Sequence, residues 1–432
     1  MTGMLTASAQ QGLDWSAAYR LFEHERFDLE RLFAPALQSV LRRLEDEEPL
    51  VALMDDTLIR KRGRKIHGTA WKRDPLGPPF CNNFVWAQRF VQLSAALPES
   101  PGPSRARGIP VDWWHAPLPL KPKKKAPAGQ WQQYREQQAL SKVSAVGVNR
   151  IRALRGQIDR QGQEKRKLIV AVDGTFTNKT VFRALPENTV AVGRLRKDAR
   201  LFAVPADEER PRRGRKRFYG DPLPGPEQLR QDASMPWTEV EAWAAGKLQR
   251  FEIKTLAPVR WMGSGKINVR LVVIRPLAYR RRKGARLLYR KPVYLVCSDP
   301  ELSLQTLLQA FLWRWEIEVN FRDEKTVPGV GEAQVRTEAA VQAVSAFVVA
   351  AYAYLLIASA QAGRIALPLP KWRNGEPVER DSTPRLVAAL RHQLWGKALG
   401  VNLTPVVKQR KGNATRHQIA DALPSAVCYA FR

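Results

Sequence analysis

Cysteine is scarce in this chain: Cys81, Cys297 and Cys428 are the only three in 432 residues. They are far apart, odd in number and never spaced C-x-x-C, which excludes a disulfide framework and a cysteine-based zinc site and suits a reducing cytoplasm. The first residues, MTGMLTASAQQGLDW, lack the basic start and apolar core of a signal peptide, so the chain is expected to stay in the cell that makes it. No Walker-type loop is present, and the G-S-G at 263–265 is too short to cradle a nucleotide, so no nucleotide cofactor is expected. Internal repeats are lacking. A long uncharged run occurs once, from Ala339 to Gly363. It is rich in alanine and holds Gln342, Ser345, Ser359 and Gln361, which reads as a buried core helix and not as a membrane span.

Acids are the minority charge. Lys and Arg number 71 against 41 Asp and Glu, a net charge of +30 with a pI of about 10.5. Such a chain repels itself when compact unless a polyanion neutralises it, and nucleic acid is the plain candidate. The bases recur in clusters along the whole sequence, at 61–65 (KRGRK), 121–125 (KPKKK), 212–217 (RRGRKR) and 280–283 (RRRK). An anionic membrane would instead call for one basic amphipathic helix or a basic cluster beside a span.

Length predicts more than one module. An N-terminal helical region is expected over 1–48, where Leu29, Leu32, Leu37, Val40, Leu41 and Leu44 recur at three and four. The run PLVALMDDT (49–57) reads as a buried strand presenting an acid at its C-terminal end, and 84–93 as its neighbour. Residues 98–129, rich in Pro, Gly and Lys, read as an exposed, phosphate-contacting connection. A helix over 130–159 and a strand over 167–172 follow, the strand ending at Asp173. Residues 49–204 thus form the first part of a core, 205–290 a β-rich insertion, 291–362 the remainder of the core, and 363–432 a C-terminal helical region with a basic tail.

The stretch FLWRWEIEVNFRDEK (311–325) reads as one helix, with Phe311, Trp315, Val319 and Phe321 as its apolar stripe. At about 100° per residue, Glu318 lies about 40° from Arg314 and about 20° from Lys325, whereas Glu316, Asp323 and Glu324 point at least about 120° away. One carboxylate therefore sits between two cations able to hold phosphate oxygens. Asp56 and Asp173 add two acids, each ending a strand. A single aspartate after a strand is more often a turn or cap residue. Three acids of this kind in a chain of this charge suit phosphodiester cleavage by two divalent metals, for which hard Mg2+ wants oxygen ligands.

These residues resemble the DDE transposases of bacterial insertion sequences, in the group with the signature Tyr-x2-Arg-x3-Glu-x6-Lys. Arg314, Glu318 and Lys325 match that spacing, with Phe311 in place of the tyrosine. LMDDTLI is similar to the context of the family's first acid, with Asp56 the choice and Asp55 the reserve, and Asp173 matches the second. The resemblance implies an α/β, RNase H-like catalytic core with a β-strand insertion domain and flanking helical regions. It implies Mg2+-dependent nicking at transposon ends and attack of the freed 3′-hydroxyl on target DNA. Asp56, Asp173 and Glu318 would ligate two Mg2+ ions, with Mn2+ able to substitute, and Arg314, Lys325, Arg322, Lys61, Arg62, Arg64 and Lys65 would contact DNA. A homodimer on double-stranded DNA in the bacterial cytoplasm, associated with the nucleoid, is expected. The rival readings are an RNase H-like nuclease without strand transfer and a non-catalytic, DNA-binding domesticated transposase.

Overall fold

The computed structural model describes residues 12–24, 26–78, 80–81, 83–205, 217–282, 284–363 and 380–399. Two helices, α1 (Ser16–Glu23) and α2 (Leu29–Leu41), come first, the second capped by Asp28, whose carboxylate accepts from Glu30 N at 2.8 Å. The strands β1 (Leu50–Arg60), β2 (Ala70–Arg73), β3 (Phe84–Pro98) and β4 (Ala106–His115) then form an antiparallel meander. Two helices, α3 (Ala128–Leu140) and α4 (Val143–Asp159), carry the chain across to β5 (Leu168–Val172), which pairs parallel with β1. A short α5 (Lys179–Phe182) leads to β6 (Thr189–Arg194), parallel to β5.

The resulting order β4-β3-β1-β5-β6, three antiparallel strands and then two parallel ones, is the RNase H-like core. β1 and β5 run as nearly unbroken apolar segments because both of their faces are covered.

The strands beyond β6 extend this same sheet. Short β7 (Leu201–Phe202) and β8 (Pro222–Leu223), a turn of helix α6 (Pro226–Gln231), β9 (Thr238–Ala244), β10 (Lys247–Trp261) and β11 (Asn268–Ile274) come next. After a separate pair, β12 (Ala278–Tyr279) and β13 (Leu288–Tyr289), the strand β14 (Val293–Cys297) sits between β6 and β11 and joins the two parts into one twelve-stranded sheet.

The segment 98–129 is not wholly an exposed connection, because it contains β4, most of which is buried. Its prolines hid it: Pro110 stands opposite Ser94, where the register with β3 shifts, a position at which a strand tolerates a missing N–H.

The predicted single helix over 311–325 is two helices, α7 (Leu304–Trp313) and α8 (Trp315–Thr326), meeting at Arg314. Arg314 N bonds to Phe311 O and Ile317 N to Arg314 O, tightening the chain to i, i+3 contacts at that point. The predicted apolar stripe shifts as well. Ile317 and Phe321 are buried, while Trp315 is 63% exposed. Helix α8 also packs closely on β4 at Gly108, where a Cβ would stand 2.7 Å from Asn320 Oδ1; Asn320 Nδ2 donates to Gly108 O at 3.0 Å.

The uncharged run forms α9 (Glu338–Ala362), long and apolar enough by composition to cross a membrane and half buried in the fold. Its polar residues serve the outer edge of β4. Gln342 accepts from His115 N at 2.6 Å and donates to Trp113 O at 2.9 Å, and Ser345 accepts from Trp113 Nε1 at 2.9 Å. An edge strand is thereby closed by side chains that mimic a neighbouring strand. A last helix, α10 (Thr383–Leu399), packs Leu386 and Ala388 inward. The basic tail beyond residue 403 and most of the cluster at 212–217 lie outside the described residues.

Candidate active site

The parallel register of β1 and β5 places Met54 opposite Val172. The next residues along, Asp55 and Asp173, therefore come side by side where the β1–β5 pairing ends, just past the end of β5 but midway along β1, which runs on to Arg60 where the sequence pattern placed the acid at the strand's end. Alternation along β1 sends its two aspartates to opposite faces of the sheet. Asp55 shares its side with Leu53 and Thr57, toward α7 and α8; Asp56 points with Met54 toward α4.

On the Asp55 side the signature residues converge. Arg314 donates from Nη1 to Asp55 Oδ2 at 3.0 Å and from Nη2 to Glu318 Oε1 at 2.9 Å, so one guanidinium joins the two carboxylates. Lys325 Nζ donates to Thr57 Oγ1 at 2.7 Å, anchoring the other end of α8 to the same strand face. Arg322 lies outward, 67% exposed at its side chain, and pairs with Asp323 at 2.9 Å.

Asp173 sits at the mouth of the turn after β5. Its carboxylate accepts from Thr175 N at 2.9 Å, Thr175 Oγ1 at 3.0 Å and Phe176 N at 3.3 Å. The turn role ordinary for such a residue is thus real here, and it also fixes the carboxylate beside Asp55. Asp56, the first choice from sequence, pairs with Arg89 at 3.2 Å on the far face.

Burial, and after it the negative charge of Asp173, push the Asp55 carboxyl up to about 7, against the opposing pull of Arg314 and the Asp56 N–H. Asp56 is also raised, by burial above all and by Asp173, with Arg89 and Lys72 opposing. Lys72, 5% exposed, is driven down to about 8 by burial and then by the charge of Arg89. Arg89, Lys72 and Thr57 are polar partners that sequence reading passed over. The signal available was the period of two along β1, which pairs Asp55 with Thr57.

The donors suit a hard divalent cation, since Asp55, Asp173 and Glu318 offer carboxylate oxygen and two of them are electrostatically unfavourable neighbours without a cation. They do not form a closed cage. Among the described residues no group of three or more His, Cys, Asp or Glu side chains is gathered closely enough to hold an ion, because the guanidinium of Arg314 stands between Asp55 and Glu318.

The basic loop after β1 divides. Lys61 Nζ donates to Gly331 O at 2.9 Å and Ala333 O at 2.6 Å, so it tethers the loop that follows α8. Arg64 lies over the rings of Trp71 and Trp86, at 5.5 and 5.1 Å, and is exposed with Arg62 and Lys65. His67 faces Glu338 at 3.7 Å and the edge of His115. Asp323 and Glu324, which point away from the Glu318 face, are paired and buried: Asp323 accepts from Thr383 Oγ1 at 2.6 Å, and Glu324 Oε1 from Gln92 Nε2 at 2.9 Å. In the insertion region Trp261 and Tyr294 are both buried, Trp261 edge-on to Phe182 and Tyr294 hydroxyl-bonded to Glu227.

Comparison with known families finds one model, described as DDE superfamily endonuclease, matching residues 1–257. That region contains Asp55, Asp56 and Asp173; Glu318 lies beyond it. No curated protein matches the chain. With more than half of its length matched, and with an RNase H-like sheet that sets two aspartates on adjacent parallel strands, the chain belongs to the DDE superfamily endonucleases.

Proposed function

We propose that this protein is a transposase of a bacterial insertion sequence, cutting DNA at transposon ends and joining the freed 3′-hydroxyl to target DNA. The observation that carries this reading is the junction at Arg314, which ties Asp55 of β1 to the signature acid of α8 while Asp173 stands beside the first. In this reading the acid from β1 is Asp55. Asp56 was preferred from sequence, but it faces away from Glu318 and is engaged by Arg89. The proposed site is therefore Asp55, Asp173 and Glu318.

A divalent cation, Mg2+ with Mn2+ as substitute, would be held by these carboxylates and would supply Lewis-acid activation of the attacking and leaving oxygens. The chain's own residues do the rest. The paired strands β1 and β5 fix Asp55 and Asp173, the Thr175 turn locks the Asp173 rotamer, and Lys325 on Thr57 sets the height of α8. Arg314 is positioned to take a phosphate oxygen next to the acids, and Arg322, Arg62, Arg64 and Lys65 supply exposed cations around them. Lys61 contributes chiefly by fixing the loop. Double-stranded DNA is the proposed substrate, with a homodimer as the working assembly in the bacterial cytoplasm. The division at residues 48, 204, 290 and 362 is retained as a proposal, with the insertion strands continuing the core sheet.

The test is to incubate the protein with duplex DNA carrying the flanks of its own coding region, with and without Mg2+, and to map nicks and joined products. Mg2+-dependent nicks at defined flank positions followed by strand joining support a transposase. Nicks without joining favour a nuclease. Binding without any nick under all metal conditions contradicts the catalytic reading.

A further inference from the structure

Helix α3 contributes no buried residue to the fold. Of its thirteen residues, the only half-buried side chains are Trp131 and Tyr134. A helix of about this length is marginal in water by itself, and one that is polar all round gains nothing from the core. Five of its residues, Gln130, Gln132, Gln133, Gln137 and Gln138, are exposed glutamines. The loop feeding it is KPKKK, so residues 121–142 carry six basic side chains against the single acid Glu136. Lys121 Nζ lies 5.9 Å from the Trp131 ring, and Trp131 meets Tyr134 edge to face, which folds the lysine loop back along the inner side of the helix.

On a helical projection Gln132 and Gln133 fall about opposite the Trp131 and Tyr134 side, on the outermost face. The position is also fixed relative to the acids. Ser144, at the start of α4, accepts from Asn178 Nδ2 at 2.8 Å, and Asn178 caps α5 five residues after Asp173. DNA lying at Asp173 is therefore close to the junction from which α3 departs.

We propose that α3 is a DNA-reading element that enters the major groove of duplex DNA, with Gln132 and Gln133 addressing base edges and Lys123, Lys124 and Lys125 holding the flanking phosphates. The chemistry fits one occupant. A major groove admits a helix, a glutamine amide matches the donor and acceptor pair of adenine, and the lysine run matches the backbone charge. This inference rests on the DNA-directed function proposed above and adds to it the part of the protein that selects sequence.

The experiment measures binding of full-length protein by fluorescence anisotropy to two duplexes, one with the flanks of its coding region and one with the same bases shuffled. The parent is compared with Gln132→Ala/Gln133→Ala and with Lys123→Ala/Lys124→Ala/Lys125→Ala. Both variants should melt with the parent, since all five substituted side chains are exposed. The glutamine variant should lose about tenfold or more of the preference for the flank duplex and keep its affinity for the shuffled one. The lysine variant should weaken on both duplexes, with the salt slope reduced by about 2 to 3. A glutamine variant that retains the parent's preference, or that weakens equally on both duplexes, overturns the proposal. So does a parent without preference, or a variant that loses self-association in sedimentation while binding DNA as the parent does, which would make α3 a subunit contact. A parent that binds neither duplex defeats the DNA-directed function itself, a result distinct from variants that match a DNA-binding parent.

Discussion

Asp55 and Asp56 differ by one position along β1 and by the face of the sheet they occupy, and that difference separates their expected phenotypes. Asp55→Asn should reduce Mg2+-dependent nicking by about a hundredfold to a thousandfold, the scale typical of a lost group acting on charge in the transition state. Asp56→Asn removes a partner of Arg89 on the opposite face and should leave most nicking in place. Rates on the flank duplex for the two variants settle the choice: comparable losses, or a more active Asp55→Asn, would contradict the assignment. The neighbouring acids of α8 have other tasks. Glu316 accepts from Arg380 at 2.6 Å, and Asp323 from Thr383, so their removal should cost stability before it costs chemistry.

At the scale of elements, the contact between α8 and the meander contains a group that titrates. Glu324 is 1% exposed; Oε1 has Gln92, while Oε2 lacks a hydrogen-bond partner among the described residues. Burial raises its carboxyl from the ordinary 4.5 to about 8. The folded state therefore holds the proton that the unfolded chain releases, and stability falls as pH rises through the interval between those values. Glu324→Gln, neutral at every pH, should gain thermal stability over the parent as pH goes from about 5 to about 8, read as a widening difference in Tm. A constant difference across that range would contradict this. A second buried contact joins β4 to α4: Arg150 donates to Asp112 from Nε and Nη2 at 2.7 and 2.6 Å. Asp112→Ala leaves the buried guanidinium with only the longer contact to Glu30, at 3.7 Å, and the Trp114 ring, and should destabilise by about 3 kcal/mol, measurable by denaturant unfolding. Less than about 1 kcal/mol would show that the pair carries little.

Much of this was legible in residue order. The apolar runs that end in Asp55 and Asp173 announced β1 and β5, because strands covered on both faces need unbroken hydrophobicity. The Arg314, Glu318 and Lys325 spacing announced a shared helical face. Other features were not legible, for local reasons. Pro110 and its flanking Pro-Gly segments concealed β4, since a bulge tolerates what a regular strand forbids. The break at Arg314 left no mark because its dihedral angles remain helical, and only the i, i+3 hydrogen bonds reveal it. The choice between Asp55 and Asp56 turns on which face of β1 meets α8, which pattern alone does not supply.

For the whole molecule, a charge of +30 spread over separated clusters predicts affinity governed by phosphate contacts. If six or more phosphates are neutralised, binding to any duplex should weaken by about a thousandfold between about 50 and 200 mM salt. Binding nearly independent of salt over that range would mean that the charge has another purpose. The central claim is that β1, β5 and α8 assemble one three-carboxylate site, and its least protected member is Glu318, which lies beyond the region matched to the family. The most direct measurement is the rate of Mg2+-dependent nicking of the flank duplex by Glu318→Gln, with folding and DNA binding checked on the same preparation. The account predicts that nicking and strand joining are lost together while folding and binding persist; a folded Glu318→Gln protein that nicks at a rate near the parent's would contradict it.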